Sequence, residues 1–111
     1  MDVTTQNLES GACIVRISGR IDASNAGQLD ARFNEVISSG RTRLAADMSG
    51  VVYISSGGLR VLLAAIKKVK PSGGDLRLFG LDPNVMKILQ LSGFTKIFST
   101  HATEAEAAAG L

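Results

Sequence analysis

Two serines and two glycines stand directly in front of an apolar pattern with helical spacing. The segment Ser55-Ser56-Gly57-Gly58 is followed by Leu59, Leu62, Leu63 and Ile66, which occupy positions i, i+3, i+4 and i+7. A serine before such a pattern caps the helix, because its hydroxyl accepts a hydrogen bond from a first-turn N–H group that lacks a helical partner. A phosphoryl group placed there adds about −1.5 to −2 charges at pH 7. The segment therefore predicts a serine on a bare turn that is either a helix cap only or a phosphorylation switch.

The sequence motifs that are typical of nucleophilic serines and of phosphate-binding loops are absent. Gly58 follows Ser56, but Ile54 stands where a nucleophile elbow, Gly-x-Ser-x-Gly, needs its first glycine. Neither Gly-x-x-x-x-Gly-Lys nor Gly-x-Gly-x-x-Gly occurs, and there is no Ser-x-x-Lys pair. The only histidine is His101 and the only cysteine is Cys13, so neither a catalytic triad nor a metal cluster is predicted. We expect a binding module that is not an enzyme and needs no metal or cofactor.

The stretch from Asp47 to Ile66 resembles the signature of the STAS domain, the sulphate-transporter and anti-sigma-factor-antagonist fold. More narrowly, it resembles the single-domain antagonists of bacterial anti-sigma factors. The resemblance is carried by Asp47-Met48-Ser49 and by Tyr53-Ile54-Ser55-Ser56-Gly57-Gly58-Leu59-Arg60.

When the sequence is aligned on Gly58-Leu59, the phosphorylated serine of that family falls on Ser56. Ser55 takes a place that is often Asp, and Gly57 takes a place that is often Ser, Thr or Ala. The resemblance implies that the unphosphorylated chain binds an anti-sigma factor that is also an ATP-dependent serine kinase. Phosphorylation of Ser56 would then release the partner, and a metal-dependent serine phosphatase would restore the binding form.

The implied partner surface joins the serine loop to a second loop. In the resembling family a Gly-x-hydrophobic-Asp sequence contributes an Asp to this surface, and Gly19-Arg20-Ile21-Asp22 matches it. From the residues alone, a helix cap or turn residue is the commoner role for such an Asp, and it is the alternative for Asp22. Asp47 is predicted to support the loop by capping its N–H groups, with a phosphate-facing or metal-facing role as the alternative. The predicted surface residues are Asp22, Ser49, Tyr53, Ser55, Ser56, Gly57, Gly58 and Arg60.

The periodicities along the chain predict an α/β fold, with helices packed on a mixed β-sheet in the order β-β-α-β-α-β-α-β-α. The first helix is predicted to open at Ser24 or Asn25, and the third to open at Asp82-Pro83. A capping box starts the last helix at Thr103. This order also fits the STAS fold. The strands are predicted within Val3–Leu8, Ala12–Ser18, Leu44–Ala46, Leu76–Phe79 and Phe94–Phe98. Asp47 follows the third strand, at the sheet edge beside the serine loop, and a separate short β-prone segment, Val51–Ile54, precedes that loop.

Composition indicates an ordinary globular domain. The 111 residues include 45% hydrophobic and 20% charged residues, and the 12 Lys and Arg against 10 Asp and Glu leave a net charge of +2. With one Tyr, four Phe and no Trp, aromatic stacking on nucleic acid is not expected. No apolar run approaches the ~20 residues that span a bilayer, and Met1–Thr4 does not resemble a signal peptide.

We therefore expect a single STAS domain over residues 1–111, cytoplasmic, binding neither nucleic acid nor membrane, and monomeric or weakly dimeric. Two other functions stay open at this stage. One is a structural subunit of a larger STAS assembly. The other is a small-ligand sensor that uses a pocket at the sheet edge.

Overall fold

The computed structural model describes residues 1–111 and contains one five-stranded β-sheet. The strands are β1 (Asp2–Asn7), β2 (Cys13–Ile21), β3 (Arg43–Ile54), β4 (Asp75–Phe79) and β5 (Thr100–His101), and they lie side by side in that order. β1 is antiparallel to β2, whereas the other neighbouring strands are parallel. The predicted mixed sheet is confirmed.

Four α-helices connect or follow these strands, and two single turns of 3-10 helix, Lys70–Ser72 and Phe94–Lys96, lie between them. The element order is the predicted β-β-α-β-α-β-α-β-α. None of the helices combines the length and the apolar character that crossing a membrane requires. The helices are α1 (Ala26–Ser38), α2 (Ser56–Val69), α3 (Pro83–Leu91) and α4 (Glu104–Ala108).

The main core lies between the sheet and the helices α1, α2 and α3. It is a cluster of 22 buried residues, in which Phe33 of α1, Leu62 of α2 and Leu89 of α3 are almost fully buried. A smaller cluster covers the other face of the sheet, because alternate side chains of a strand point to opposite faces. Its members are Ala12, Ile14, Ala45, Phe79, Ala107 and Leu111.

β3 differs from the prediction, which placed a short strand at Leu44–Ala46 and a separate β-prone segment at Val51–Ile54. The structure has one strand of 12 residues. Two β-bulges interrupt its pairing with β2, and after each bulge the core-facing side chains are three residues apart instead of two. Because these bulges break the alternation, the sequence pattern divides one strand into two. Asp47 accordingly lies inside β3 and not at its end, which corrects its predicted place.

The last strand was also predicted at the wrong place. Phe94–Lys96 forms a 3-10 turn after Gly93, which adopts the left-handed conformation at φ 76° that favours glycine. Phe98 is buried in the core, and pairing with β4 begins only at Thr100. Apolar character in this segment therefore reflects burial beneath a turn and not strand formation.

Candidate functional site

The loops that follow β2 and β3 lie side by side at the carboxyl ends of these two parallel strands. The backbone N–H of Ser55, one residue beyond the end of β3, donates to the carbonyl oxygen of Ile21, the last residue of β2, over 2.8 Å. A Cβ built on Gly57 would lie 3.7 Å from the Cβ of Ala26, the first residue of α1. The structure thus brings the Asp22 loop and the Ser55–Gly58 loop together, as predicted.

Asn25 fixes the Asp22 loop to the end of β2. Its side-chain Nδ2 donates to the carbonyl oxygen of Arg20 over 2.8 Å, and its Oδ1 accepts from the backbone N–H of Asp22 over 2.9 Å. Asn25 occupies the N-cap position of α1, but its side chain makes no capping hydrogen bond to the helix. The amide therefore orients the loop, a role that the sequence analysis missed because only the folded chain brings both backbone groups within its reach.

The helix cap of α2 is Ser55. Its backbone is extended, and its Oγ accepts a hydrogen bond of 3.2 Å from the backbone N–H of Gly58. Ser56 is the first residue of the helix, and its side chain is exposed and makes no hydrogen bond within the protein. The alternative in which Ser56 is only a helix cap is therefore wrong, and its hydroxyl is open to solvent.

Gly58 allows α2 to start close to the sheet. A Cβ at this position would lie 2.6 Å from Cγ2 of Ile21 and 2.8 Å from Cγ1 of Ile54, both well inside van der Waals contact. A Cβ on Gly57 would meet nothing nearer than 3.6 Å. Of the two predicted glycines, Gly58 is thus required by packing, and Gly57 is half-buried with room for a small side chain beside Ser56.

Asp22 is held by its own loop. Its Oδ1 accepts hydrogen bonds from the hydroxyl of Ser24 at 2.6 Å and from the backbone N–H of Ser24 at 2.9 Å. The hydroxyl of Ser24, together with that backbone N–H, lowers the pKa of Asp22 below its ordinary value. The prediction of a turn residue is confirmed, and the loop presents an ionised carboxylate next to the serine loop.

A partly apolar patch lies on the strand ends before the serine loop. Val52 is 63% exposed and Tyr53 is 36% exposed, which is unusual for large side chains on a strand with so many buried residues. The guanidinium of Arg20 stacks on the Tyr53 ring, 4.4 Å from its centroid. Tyr53 was predicted at the surface, but Arg20 and Val52 were not, because the bulge that pairs Arg20 with Tyr53 leaves no signal in the residue spacing.

Asp47 and Ser49 lie apart from the serine loop, on the sheet face that α4 covers. Asp47 Oδ1 accepts from the hydroxyl of Ser49 at 2.6 Å and from its backbone N–H at 3.0 Å. Asp47 Oδ2 pairs with Arg16 over 3.1 Å, and Arg16 also binds Glu104 of α4 over 2.8 Å. Asp47 thus caps an N–H group, as predicted, but it stabilises the first bulge of β3 and the attachment of α4. It does not support the Ser56 loop directly.

The environment of Asp47 favours its ionised form. Partial burial acts to raise its pKa, but the hydrogen bonds from Ser49 and from Arg16 outweigh that effect, and the pKa is lowered overall. The hydrogen bond to Glu104 is the main cause that raises the pKa of Arg16. The described chain holds no group of three or more His, Cys, Asp or Glu side chains that could bind a metal ion. The carboxylate of Asp47 is thus hydrogen-bonded to Ser49 and paired with Arg16.

Comparison with known proteins agrees with this fold. BtrV of Bordetella bronchiseptica, named as an anti-sigma factor antagonist, is 36% identical over 110 residues, which are 98% of this chain and 94% of the relative. An anti-sigma factor antagonist from Mycobacterium paratuberculosis superposes with a TM-score of 0.88 at 25% identity, covering 97% of this chain and 91% of that structure.

SpoIIAA, an anti-sigma factor antagonist solved in its unphosphorylated form, superposes with a TM-score of 0.82 at 21% identity, covering 96% of this chain and 92% of that one. The family model of the STAS domain matches residues 4–107 of the present sequence. That match spans nearly the whole chain, and the Bordetella relative aligns along almost its full length. The chain belongs to the STAS domain family.

Proposed function

We propose that residues 1–111 work as one cytoplasmic STAS domain that antagonises an anti-sigma factor, and that phosphorylation of Ser56 releases this partner. The observation that carries the proposal is the state of Ser56, whose exposed hydroxyl has no hydrogen-bond partner within the protein. The relatives are regulatory binding proteins and not enzymes. SpoIIAA, which shares the fold, has also been solved in a phosphorylated form.

The proposed partner surface is the edge formed by the Asp22 loop, the exposed end of β3 and the start of α2. It combines an ionised carboxylate at Asp22, exposed apolar surface at Val52 and Tyr53, and a bare turn at Gly57. Apolar contact surrounded by polar groups is the usual composition of a protein interface. The glycine leaves room for the partner's backbone to approach Ser56 closely.

Phosphorylation would weaken binding through charge and desolvation. Two negative charges at the centre of the interface must lose water when the partner docks, and they repel any acidic group opposite. A loss of about 3 to 4 kcal/mol corresponds to two to three decades in affinity, which is enough for a switch. Ser56 itself is easily reached, because its hydroxyl gives up no internal hydrogen bond when a kinase binds it.

The enzymes of the cycle would be other proteins. An anti-sigma factor with serine kinase activity would transfer the γ-phosphoryl group of ATP to Ser56 Oγ, with ADP and the hydroxyl proton as the leaving products. A metal-dependent serine phosphatase would remove it by hydrolysis as inorganic phosphate. The chain itself would act as a monomer or weak dimer. Size-exclusion chromatography with light scattering on both forms measures this, and a stable larger assembly would favour the scaffold alternative.

The direct test is intact mass and peptide mapping of the protein purified from its native host. We expect a fraction about 80 Da heavier, with the modification on Ser56 and not on the adjacent Ser55. A Ser56→Ala variant expressed in the same host is the control and should lack this fraction. Absence of phosphate under all growth conditions would contradict the switch and favour a scaffold or ligand sensor.

A further inference from the structure

Arg60 lies one helical turn after Ser56 on the exposed side of α2. The helix runs without interruption from Ser56 to Val69, and residues four apart on a helix have their Cβ atoms about 5–6 Å from each other. Both side chains are exposed, whereas Leu59 and Leu62 are buried against the sheet. A group attached to the Ser56 oxygen is therefore within reach of the Arg60 guanidinium.

Arg60 has no anionic partner in the protein. None of the five ion pairs includes it, and it makes no side-chain hydrogen bond. α2 contains no Asp or Glu at all, and its other cations, Lys67 and Lys68, lie in the last turn. Lys67 is eleven residues from Ser56, about 16 Å along the helix axis. Arg60 is thus the cation of α2 that lies nearest to a charge on Ser56.

The other charged side chains around the two loops have partners. Arg20 stacks on Tyr53, and the carboxylate of Asp22 accepts two hydrogen bonds from Ser24. A new anion at Ser56 therefore finds one uncommitted cation nearby on its own helix. The order of the pair is also the favourable one, because the negative group precedes the positive one by four residues and stands at the helix N-terminus.

We propose that Arg60 binds the phosphate of phosphorylated Ser56. The inference rests on the proposed modification of Ser56, and it adds how the modification acts. The guanidinium donates two parallel hydrogen bonds to phosphate oxygens, a geometry for which arginine is suited. Phosphorylation then changes the partner surface twice, since it adds negative charge at Ser56 and withdraws the positive charge of Arg60. An acidic group of the partner that contacts Arg60 loses its counter-charge at the same step.

The test measures the second pKa of the phosphate, which is ordinarily about 6. The full chain is expressed with phosphoserine incorporated directly at position 56, and the phosphate is titrated by 31P NMR. A nearby cation favours the dianion and lowers this pKa, so Arg60→Gln is expected to raise it by about half a unit. Arg60→Lys should restore most of the difference, because it returns the charge.

Two variants serve as matched controls. Lys67→Gln removes the same charge from the far end of α2 and should leave the phosphate pKa unchanged. Arg20→Gln removes the cation that stacks on Tyr53 and should also have little effect. An equal phosphate pKa in the parent and the Arg60→Gln protein would overturn the assignment, and so would a larger effect of Arg20→Gln.

The titration result can be told apart from a failure of the proposed function. Because the phosphoserine is introduced during synthesis, the titration needs neither the kinase nor the partner. Failure to find phosphate on the protein from its host would refute the switch, whereas a null titration would refute only the role of Arg60.

Discussion

The hydroxyl of Ser55 accepts a hydrogen bond from the backbone N–H of Gly58, 3.2 Å away. Ser55 can do so because its backbone is still extended and its side chain turns back over the first helical turn. Ser56 is already helical, and its exposed hydroxyl makes no hydrogen bond within the protein. Two adjacent residues of one type thus have different tasks, since the first stabilises the helix and the second faces the solvent.

We predict that Ser55→Ala and Ser56→Ala differ in stability. Loss of the Ser55 cap should lower the free energy of unfolding by about 1 kcal/mol. Ser56→Ala removes no hydrogen bond and should change it by less than about 0.5 kcal/mol. Urea denaturation of the two variants, which carry the same chemical change one position apart, measures the difference. Equal losses would show that the two hydroxyls share the capping role.

We predict that a negative charge at position 56 weakens binding to the anti-sigma factor. Ser56→Asp should reduce the affinity by at least tenfold, and Ser56→Ala should bind like the unmodified protein and stay bound in the presence of ATP. Isothermal calorimetry with the purified kinase partner measures both. Ser10→Asp adds the same charge in the β1–β2 turn, at the opposite edge of the sheet, and should bind normally. Equal affinity of all three variants would argue against the switch.

The adjacent glycines are predicted to respond in opposite ways to alanine. Gly58→Ala drives a methyl group into Ile21 and Ile54 and should cost about 1–3 kcal/mol of stability. Gly57→Ala makes only ordinary contacts, and it should leave stability unchanged or raise it by up to about 1 kcal/mol, because alanine favours the helix. Thermal unfolding measures both, and a destabilised Gly57→Ala would show that the turn itself requires glycine.

The ionised carboxylate of Asp47 is predicted to make stability depend on pH. Its pKa is lower in the folded protein than the ordinary value of 3.8, so its contribution is present above about pH 4 and is lost as the pH falls through the folded pKa. Asp47→Asn can keep a hydrogen bond from Ser49 but loses the charge that pairs with Arg16. We expect it to unfold about 1 kcal/mol more easily at pH 7.

That difference should shrink as the pH falls below about 4 and through the lowered folded pKa, because the parent carboxylate becomes protonated over that range. Urea denaturation between pH 3 and pH 7 follows it. Glu9→Gln removes an exposed carboxylate that makes no ion pair and serves as the control, with little change expected across this range. A difference between parent and Asp47→Asn that is constant with pH would mean that shape, and not charge, determines the role of Asp47.

Features that depend on residues close together in the chain could be predicted from the sequence alone. The spacing of Leu59, Leu62, Leu63 and Ile66 predicts the buried side of α2. The structure buries Leu59, Leu62 and Ile66 and leaves Leu63 half-buried. Asp82 caps α3 through a hydrogen bond from Asn84, as its position before a proline predicts. These features depend on residues within one or two helical turns, and for this reason they can be found without the fold.

The features that were missed depend on contacts between distant segments. Arg20 meets Tyr53 only because a bulge shifts the register of β2 and β3. Asp47 appeared to end a strand because the segment after it, Met48-Ser49-Gly50, does not alternate as a regular strand does. Its actual partner, Arg16, lies 31 residues away in the chain, and no spacing in the sequence relates the two.

The two bulges of β3 divide that strand into parts with separate neighbours. Up to Asp47 the strand pairs with β4, and beyond the second bulge Tyr53 and Ile54 lead into the serine loop. Each bulge resets the alternation of side chains, so replacements at Val52 or Tyr53 need not alter the packing of the earlier half. Substitutions at these two exposed positions can thus change the surface beside the serine loop while the scaffold is preserved.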